Sequence, residues 1–181
     1  MSASSDLADP VLLTERLELR RPTADDLEPM FAIASSPETA RHLGAHRGFA
    51  DHFERFCRNA GSWLLFGYGA FILRRRGEDA PIGNCGIFRT FRGVGEDFDG
   101  QPEAGWILRS DCTGQGLAGE AMAAAFEWFD RAHGAQRVVC MIAQENTPSL
   151  ALAAKLGFVP MREAILPEGE AVTLLERPVR S

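Results

Sequence analysis

The stretch Thr113–Gly119, with the sequence Thr-Gly-Gln-Gly-Leu-Ala-Gly, determines how the rest of the chain is interpreted. An apolar run at 104–108 precedes it and is typical of a strand, and Glu120–Ala132 follows with its apolar residues on one helical face. No Ser, Thr, Asp or Asn lies between Gln115 and Glu120 to cap the helix, so several backbone N–H groups are free at its positive end. Because glycine allows close approach to the backbone, this stretch predicts a phosphate-binding turn. A tight turn with water on its amides explains the same residues.

Length and charge restrict the classes of function. A chain of 181 residues suits one domain, and its net charge of −6 argues against general nucleic-acid binding. The longest apolar run, Trp63–Leu73, is too short to cross a bilayer, and residues 1–10 lack the apolar core of a secretory signal. We therefore expect a flexible tail over 1–10, one domain over 11–181, a cytoplasmic location and no membrane partner. The scattered cysteines predict reduced, mostly buried thiols and no metal site: Cys57, Cys85, Cys112 and Cys140.

Hydrophobic periodicity and turn residues predict an α/β fold. Thr23 and Asp26 have the spacing of a capping box that opens a helix ending near Ser35. The other predicted segments, in chain order, are a strand at Thr14–Arg21, a loop at Ala40–Phe49, a helix at Ala50–Asn59, strands at Tyr68–Arg74 and Ile82–Phe88, a loop at Arg92–Pro102, a strand at Arg137–Ala143, a helix at Pro148–Leu156, and strands at Phe158–Glu163 and Val172–Glu176. This order predicts a single-domain, mixed, mostly antiparallel sheet with a parallel central pair and about four flanking helices.

The glycine-rich turn also contains the dinucleotide fingerprint G-x-G-x-x-G over Gly114–Gly119, with Glu145 at the end of the following strand. A dinucleotide fold needs several further parallel strand–helix units, whereas only one helix and two strands follow Glu145. Polar residues, Arg109–Asp111, also separate the turn from the apolar strand. The sequence therefore disfavours the dinucleotide interpretation. A mononucleotide P-loop is excluded because Gly-Lys-Ser/Thr is missing.

Three segments together resemble the GNAT N-acetyltransferase superfamily. Residues 114–121 (Gly-Gln-Gly-Leu-Ala-Gly-Glu-Ala) resemble its acyl-CoA pyrophosphate loop, and Asn146–Ser149 with 155–158 (Lys-Leu-Gly-Phe) resembles its second signature. The opening 14–20 (Thr-Glu-Arg-Leu-Glu-Leu-Arg), with Asp25-Asp26-Leu27, is similar to the branch that contains the ribosomal-protein N-terminal acetyltransferases. The resemblance runs from about Val11 to Val179. One departure is Thr113, where the superfamily often has Gln or Arg.

The resemblance implies an acyl-CoA-dependent N-acetyltransferase that moves an acetyl group directly from acetyl-CoA to a primary amine, either a protein N-terminus or a small amine. From the net charge we expect no nucleic-acid partner, and we expect a monomer or a homodimer. The Leu108 amide would donate to the thioester carbonyl. The residues expected to hold the cofactor are Trp106, Ile107, Leu108, Thr113, Gly114, Gln115, Gly116, Leu117, Ala118, Gly119, Asn146 and Ser149.

The usual proton donor of the superfamily is missing. Many members have a tyrosine seven residues after the asparagine that corresponds to Asn146, and here that position is Ala153. The only tyrosine of the chain, Tyr68, lies in another predicted strand. Ser149 is the nearest hydroxyl in sequence and becomes the candidate acid, although it also fits an ordinary first-turn serine. Glu103 is the candidate base, acting directly or through water, and it also fits a solvated glutamate at the end of a strand.

The acceptor side is less well defined by the sequence. His42, His46 and His52 lie where the acceptor site would be covered, and we expect each to be on the surface. The other segments expected near the acceptor are Ala40–Phe49, Trp63, Phe66, Glu96–Asp99 and Pro167–Glu170. Two other classes of function stay open. The substitution at Ala153 fits a non-catalytic acyl-CoA-binding module, and the glycine pattern fits a nucleotide-binding oxidoreductase.

Overall fold

Eight strands form one sheet in the order β1-β2-β3-β4-β5-β6-β8-β7 in the computed structural model, which describes residues 10–41, 43, 48–167 and 169–179. The strands are β1 (Pro10–Leu13), β2 (Leu17–Arg20), β3 (Ala70–Arg75), β4 (Pro81–Arg89), β5 (Pro102–Leu108), β6 (Val138–Ala143), β7 (Val159–Ile165) and β8 (Ala171–Arg177). The helices are α1 (Leu27–Ser35), α2 (Pro37–Ala40), α3 (Phe49–Phe66), α4 (Leu117–His133) and α5 (Thr147–Lys155), and short 3-10 turns cover Ala24–Asp26 and Ser110–Cys112.

Among the strands of the described residues, only the central neighbouring pair is parallel. All other neighbours in the sheet run antiparallel, whereas β5 and β6 run in the same direction and α4 connects them. A helix is the usual crossover between parallel strands, and it places the start of α4 just beyond the end of β5. The predicted fold class, a mostly antiparallel mixed sheet with one parallel pair, is confirmed.

Helix α4 covers one face of the sheet and anchors the main hydrophobic core. Its buried residues Met122 and Phe129 pack with the inward side chains of β2 and β3, among them Leu19 and Phe71. On the opposite face, α1 contributes a smaller cluster through Met30 and Ile33, which pack on Ile72 of β3. Burial of an apolar helix face on a sheet fixes the position of the helix, so the N-terminus of α4 is held at the end of β5 by the core.

The predicted capping box is present at the start of the 3-10 turn Ala24–Asp26, which leads into α1. The carboxylate of Asp26 accepts hydrogen bonds from both the backbone N–H and the hydroxyl of Thr23, each at 2.9 Å. Its other oxygen forms an ion pair with Arg74 of β3. Asp26 is 1% exposed, so this pair fixes α1 to the sheet inside the protein, where an unpaired carboxylate would be costly.

Three segments differ from the sequence prediction. Strand β1 and helix α2 were not expected, and the predicted loop Ala40–Phe49 shares its end residues with helices, Ala40 with α2 and Phe49 with α3. Helix α3 continues to Phe66 rather than ending near Asn59. Gly61 and Ser62 are poor helix formers, but tertiary contacts outweigh that preference. The Ser62 hydroxyl donates to the Tyr68 carbonyl at 2.8 Å, and the Trp63 indole donates to the Ala70 carbonyl at 3.1 Å.

Candidate active site

A gap opens in the sheet between β5 and β6. Within the described residues these strands share one residue pair, Glu103 with Val139. Beyond that pair β5 follows β4 as far as Leu108, and β6 follows β8 as far as Ala143. The two parallel strands therefore separate after Glu103, and the far half of β5 presents a backbone edge toward the gap.

The amides of Trp106 and Leu108 point into this gap. The Arg109 N–H donates to the Ile82 carbonyl at 2.8 Å, and the unbroken β4–β5 register then makes Ile107 and Asn84 a hydrogen-bonded pair. Successive residues of an antiparallel strand direct their backbone N–H and C=O groups to opposite sides. Trp106 and Leu108 are the neighbours of Ile107, so their amides point away from β4. The backbone of Ile107 is engaged with β4, and its side chain packs near α1 on the other face.

Helix α5 begins on the far side of the gap. The Trp106 indole N–H donates to the Ser149 hydroxyl oxygen at 3.2 Å, which joins β5 to the first turn of α5. Asn146 caps that turn, since its side-chain oxygen accepts the Ser149 backbone N–H at 3.2 Å. Ala153, one turn further, is fully buried in the main core. The structure therefore brings Trp106, Asn146 and Ser149 together at the gap.

Tyr68 is a core residue and does not belong to this group. Its ring packs edge-on against Phe129 and His133, with centroids 5.0 and 5.1 Å away. Burial raises the pKa of the Cys85 and Cys140 thiols, so these two thiols offer no ready nucleophile. Cys85, Cys112 and Cys140 are buried and Cys57 is exposed, and all four are free, as predicted.

The glycine-rich turn follows the 3-10 turn Ser110–Cys112 after β5 and leads into α4. Gly114 and Gly116 adopt left-handed conformations, with φ of 72° and 78°, which a residue bearing a Cβ rarely adopts. No side chain caps the helix at Gly116, as the sequence predicted. A Cβ built on Gly114 would meet no atom within 4 Å, so the space in front of the turn is open. An open turn with uncapped amides at a helix N-terminus fits the pyrophosphate of an acyl-CoA.

Other predicted residues of the turn contribute through different atoms. The Leu117 side chain is buried in the core, which anchors the first residue of α4. The Thr113 hydroxyl donates to the Ser110 carbonyl at 2.8 Å. A Cβ on Gly119 would lie 3.5 Å from the Leu152 side chain, which shows how closely α5 approaches the first turn of α4. Gln115 and Ala118 complete the segment.

Sequence analysis missed Arg16 and Glu120, which meet beside the turn. The Glu120 carboxylate accepts the Thr14 hydroxyl at 2.6 Å, the Arg16 backbone N–H at 2.9 Å and the Arg16 Nε at 2.7 Å. Burial alone would raise the pKa of Glu120, but the hydrogen bonds from Thr14 and Arg16 outweigh it and lower the pKa below its ordinary value. The partners are more than 100 residues apart, so no local pattern could reveal them.

Glu103, the candidate base, is buried rather than solvated. It is 3% exposed, and its two oxygens accept bonds from Arg92, with Nη2 at 2.6 Å, and from the Thr90 hydroxyl. The alternative of a solvated glutamate at the end of a strand is therefore wrong. Thr90 is only partly buried, whereas Glu103 is buried.

The acidic loop is engaged in contacts within the protein. Asp97 pairs with Arg162 of β7 at 2.8 Å, which lowers the pKa of that carboxyl, and Asp99 accepts the Arg92 backbone N–H at 2.8 Å. Two of the three carboxylates therefore stabilise the loop itself, and Glu96 remains exposed.

The histidine prediction is wrong where the structure tests it. His52 is 8% exposed and packs against Phe56, with its Nε2 3.2 Å from the Leu27 carbonyl oxygen. It is therefore not a surface residue. His42, His46 and Glu168 lie outside the described residues.

Comparison with known proteins establishes the family. The family model described as "Acetyltransferase (GNAT) domain" matches residues 16–159. The chain belongs to this family. A GNAT-family acetyltransferase structure from Bordetella pertussis shares 35% identity at a TM-score of 0.82, covering 92% of this chain and 98% of that one. The uncharacterized N-acetyltransferase p20 of Bacillus licheniformis is 26% identical over 162 residues, which are 88% of this chain and 86% of that protein.

A more distant structure shows the fold alone. The Salmonella typhimurium acetyltransferase that modifies the N-terminal serine of ribosomal protein L7/L12 is 15% identical, with a TM-score of 0.74 and coverage of 95% of this chain and all of that one. The predictions of a GNAT-type N-acetyltransferase and of acetyl-CoA, the acyl donor of this family, are confirmed. In the part of the chain that the structure describes, no helix is long and apolar enough to cross a membrane, and no cluster of ligand side chains could hold a metal ion.

The Glu120 contacts predict a pH-dependent contribution to stability. Because its pKa is lowered on folding, ionised Glu120 stabilises the fold above its ordinary pKa, and this contribution is lost as the pH falls through the folded value. Glu120→Gln should lower the free energy of unfolding by about 1 kcal/mol at pH 7, discounted for the partly exposed Arg16. Urea unfolding at pH 7 and below pH 4 should show the difference from the wild type shrinking in acid.

The matched control is Glu127→Gln on the same helix. The Glu127 side chain is 76% exposed and 3.7 Å from Arg131, so its loss should have no measurable effect at either pH. Equal effects of the two substitutions would contradict a specific role for Glu120.

Proposed function

We propose that this chain transfers an acetyl group from acetyl-CoA to a primary amine by direct transfer. One observation carries the proposal. The part of β5 between Glu103 and Leu108, whose edge has separated from β6, leads toward the uncapped N-terminus of α4. An extended arm can pair with the edge of a strand, while a phosphate binds at the adjoining helix start. An acyl-CoA molecule contains both parts, because its extended pantetheine arm is joined directly to its pyrophosphate.

Specific residues of this chain would hold the cofactor. The backbone amides of Gly114–Gly119 would bind the pyrophosphate, the amides of Trp106 and Leu108 would pair with the pantetheine arm, and Asn146 would contact the arm from α5. The Leu108 amide is our proposed donor to the carbonyl oxygen, where negative charge develops. When bound, acetyl-CoA supplies an activated thioester, and the chain needs no covalent intermediate.

The first test is selective binding. Free CoA at about a hundred times its dissociation constant should stabilise the protein by roughly 2.7 kcal/mol, because it binds only the folded state. Thermal unfolding with CoA, acetyl-CoA or NAD measures this effect. We expect stabilisation by both CoA compounds and none by NAD. Equal stabilisation by NAD would support the oxidoreductase alternative, and no stabilisation by CoA would contradict the proposal.

Glu103 is the proposed base, with Thr90 as its link to the acceptor. Arg92 and Thr90 already occupy the Glu103 oxygens, and the carboxylate is almost completely buried. An amine can reach the Thr90 hydroxyl more easily than the carboxylate. We infer that the Thr90 oxygen accepts the amine proton while its own proton moves to Glu103 along the existing hydrogen bond.

Glu103→Gln tests this assignment. The amide keeps the shape of the side chain but cannot take up a proton, so kcat should fall about a hundredfold or more. The measurement is kcat against pH at saturating acetyl-CoA, with Arg92→Gln as the control that disturbs the same ion pair and leaves the carboxylate. A similar, small loss in both variants would mean that Glu103 only holds Arg92.

Ser149 is the proposed proton donor to the leaving sulfur. Its oxygen accepts the Trp106 indole N–H, so its own hydroxyl hydrogen is available for donation. A serine is a weak acid by itself, and we therefore expect it to relay a proton from solvent. Ala153 cannot contribute, because it carries no hydroxyl and is fully buried.

Ser149→Ala should lower kcat by about a hundredfold with little change in the affinity for acetyl-CoA. The helix cap should survive, since Asn146 accepts the backbone N–H of this residue rather than its hydroxyl. Ser35→Ala, an exposed serine on α1, is the control. The measurement is kcat at saturating cofactor. A loss below about threefold would leave water or the acceptor as the proton source.

The acceptor is the least constrained part of the proposal. The Salmonella typhimurium neighbour modifies an N-terminal serine, which supports a protein N-terminus as one candidate beside small amines. Ala153 favours a second function, non-catalytic binding of acyl-CoA, which turnover on a panel of peptides and amines would distinguish. The cytoplasmic location, the absence of nucleic-acid and membrane partners, and the choice between monomer and homodimer remain predictions.

A further inference from the structure

Arg16 connects the first two strands to the glycine-rich turn. It lies in the connection between β1 and β2, and its guanidinium reaches α4, where Nε donates to Glu120 at 2.7 Å. The same guanidinium donates through Nη1 to the backbone carbonyl of Gln115 at 2.9 Å. One side chain therefore joins the helix to the turn that precedes it.

Gln115 is held from a second direction as well. Its side-chain oxygen accepts Arg75 Nη2 at 2.9 Å, and its side-chain nitrogen donates to the Asp111 carbonyl at 2.8 Å. Gln115 lies between Gly114 and Gly116, the two residues with the greatest backbone freedom. Free glycines cost conformational entropy when a ligand orders them, and these contacts order the turn before any ligand binds.

Arg16 also places positive charge at the start of the helix. Its contacts to Glu120 and Gln115 use Nε and Nη1, while Nη2 lies 3.6 Å from where a Cβ on Gly116 would be. The guanidinium therefore lies beside the N-cap residue Gly116, near the position that a side chain would occupy there. A phosphate at this N-cap would be close to it.

We propose that Arg16 is a positioning residue for the cofactor turn. With Arg75 it holds Gln115, so that the amides of 114–117 point outward together and accept the pyrophosphate without rearrangement. This inference rests on the proposed acyl-CoA-dependent function. It assigns affinity for the cofactor, rather than the rate of acetyl transfer, to Arg16 in the β1–β2 connection and Arg75 in β3, which are distant in sequence from the turn.

The test is Arg16→Gln, titrated with free CoA by calorimetry. We expect the dissociation constant to rise at least tenfold, equivalent to about 1.4 kcal/mol. In turnover, KM for acetyl-CoA should rise while kcat at saturation stays within about twofold. Arg16→Lys keeps the charge but lacks the planar fork that reaches two acceptors, so it should recover only part of the affinity.

The matched control is Arg76→Gln. Arg76 is an exposed arginine that donates to the Thr14 carbonyl at 3.3 Å and does not touch the turn. Its loss removes the same charge from the same side of the protein, and CoA affinity should change less than twofold. Arg75→Gln is the second variant. It removes one of the two side-chain hydrogen bonds of Gln115 without disturbing Glu120, and it should also weaken CoA binding even if Arg16→Gln fails to fold.

The outcomes separate this inference from the proposed function. If the wild type fails to bind CoA, the proposed function itself fails. If the wild type binds CoA and neither Arg16→Gln nor Arg75→Gln weakens that binding, the function stands and Arg16 only joins the β1–β2 connection to α4. Full recovery in Arg16→Lys, or an equal loss in Arg76→Gln, would mean that charge alone matters and would overturn the positioning role.

Discussion

The separation of β5 from β6 is the constraint on which the site depends. Two parallel strands that share the pair Glu103–Val139 and then part leave half a strand with unpaired backbone groups, which would normally be costly. The core makes this arrangement stable, because β4 and β8 hold the two strands from the outside and α4 anchors the crossover. The gap is therefore built into the topology and needs no ligand to form.

Ion pairs then fix what surrounds the gap. Arg92 holds Glu103 at the point where the strands part, and Arg16 holds Glu120 at the start of α4. Both carboxylates are largely withdrawn from water, so each partner matters more than it would on an open surface. The same kind of pair, Arg74 with Asp26, fastens α1 to the opposite face. Side chains far apart in sequence thus set the positions of the groups near the gap.

Local sequence patterns predicted the elements that depend on local forces. The capping box at Thr23, the uncapped turn at Gly116 and the cap at Asn146 each follow from a few neighbouring residues, and each is present. The length of α3 was underestimated because tertiary hydrogen bonds extend it through Gly61. The Arg92–Glu103 and Arg16–Glu120 pairs could not be found in this way. Both depend on strand register and on the packing of α4, which no window of sequence contains.

The hydrogen bond from Trp106 to Ser149 has a consequence for order within the site. It is partly buried and joins β5 to the first turn of α5, so it restricts the Ser149 side chain to rotamers that keep its oxygen on the Trp106 indole. Restricting a side chain to one rotamer costs conformational entropy, and here the restriction is made on folding rather than on binding. A hydroxyl proton that would serve acetyl transfer is therefore oriented before any cofactor arrives.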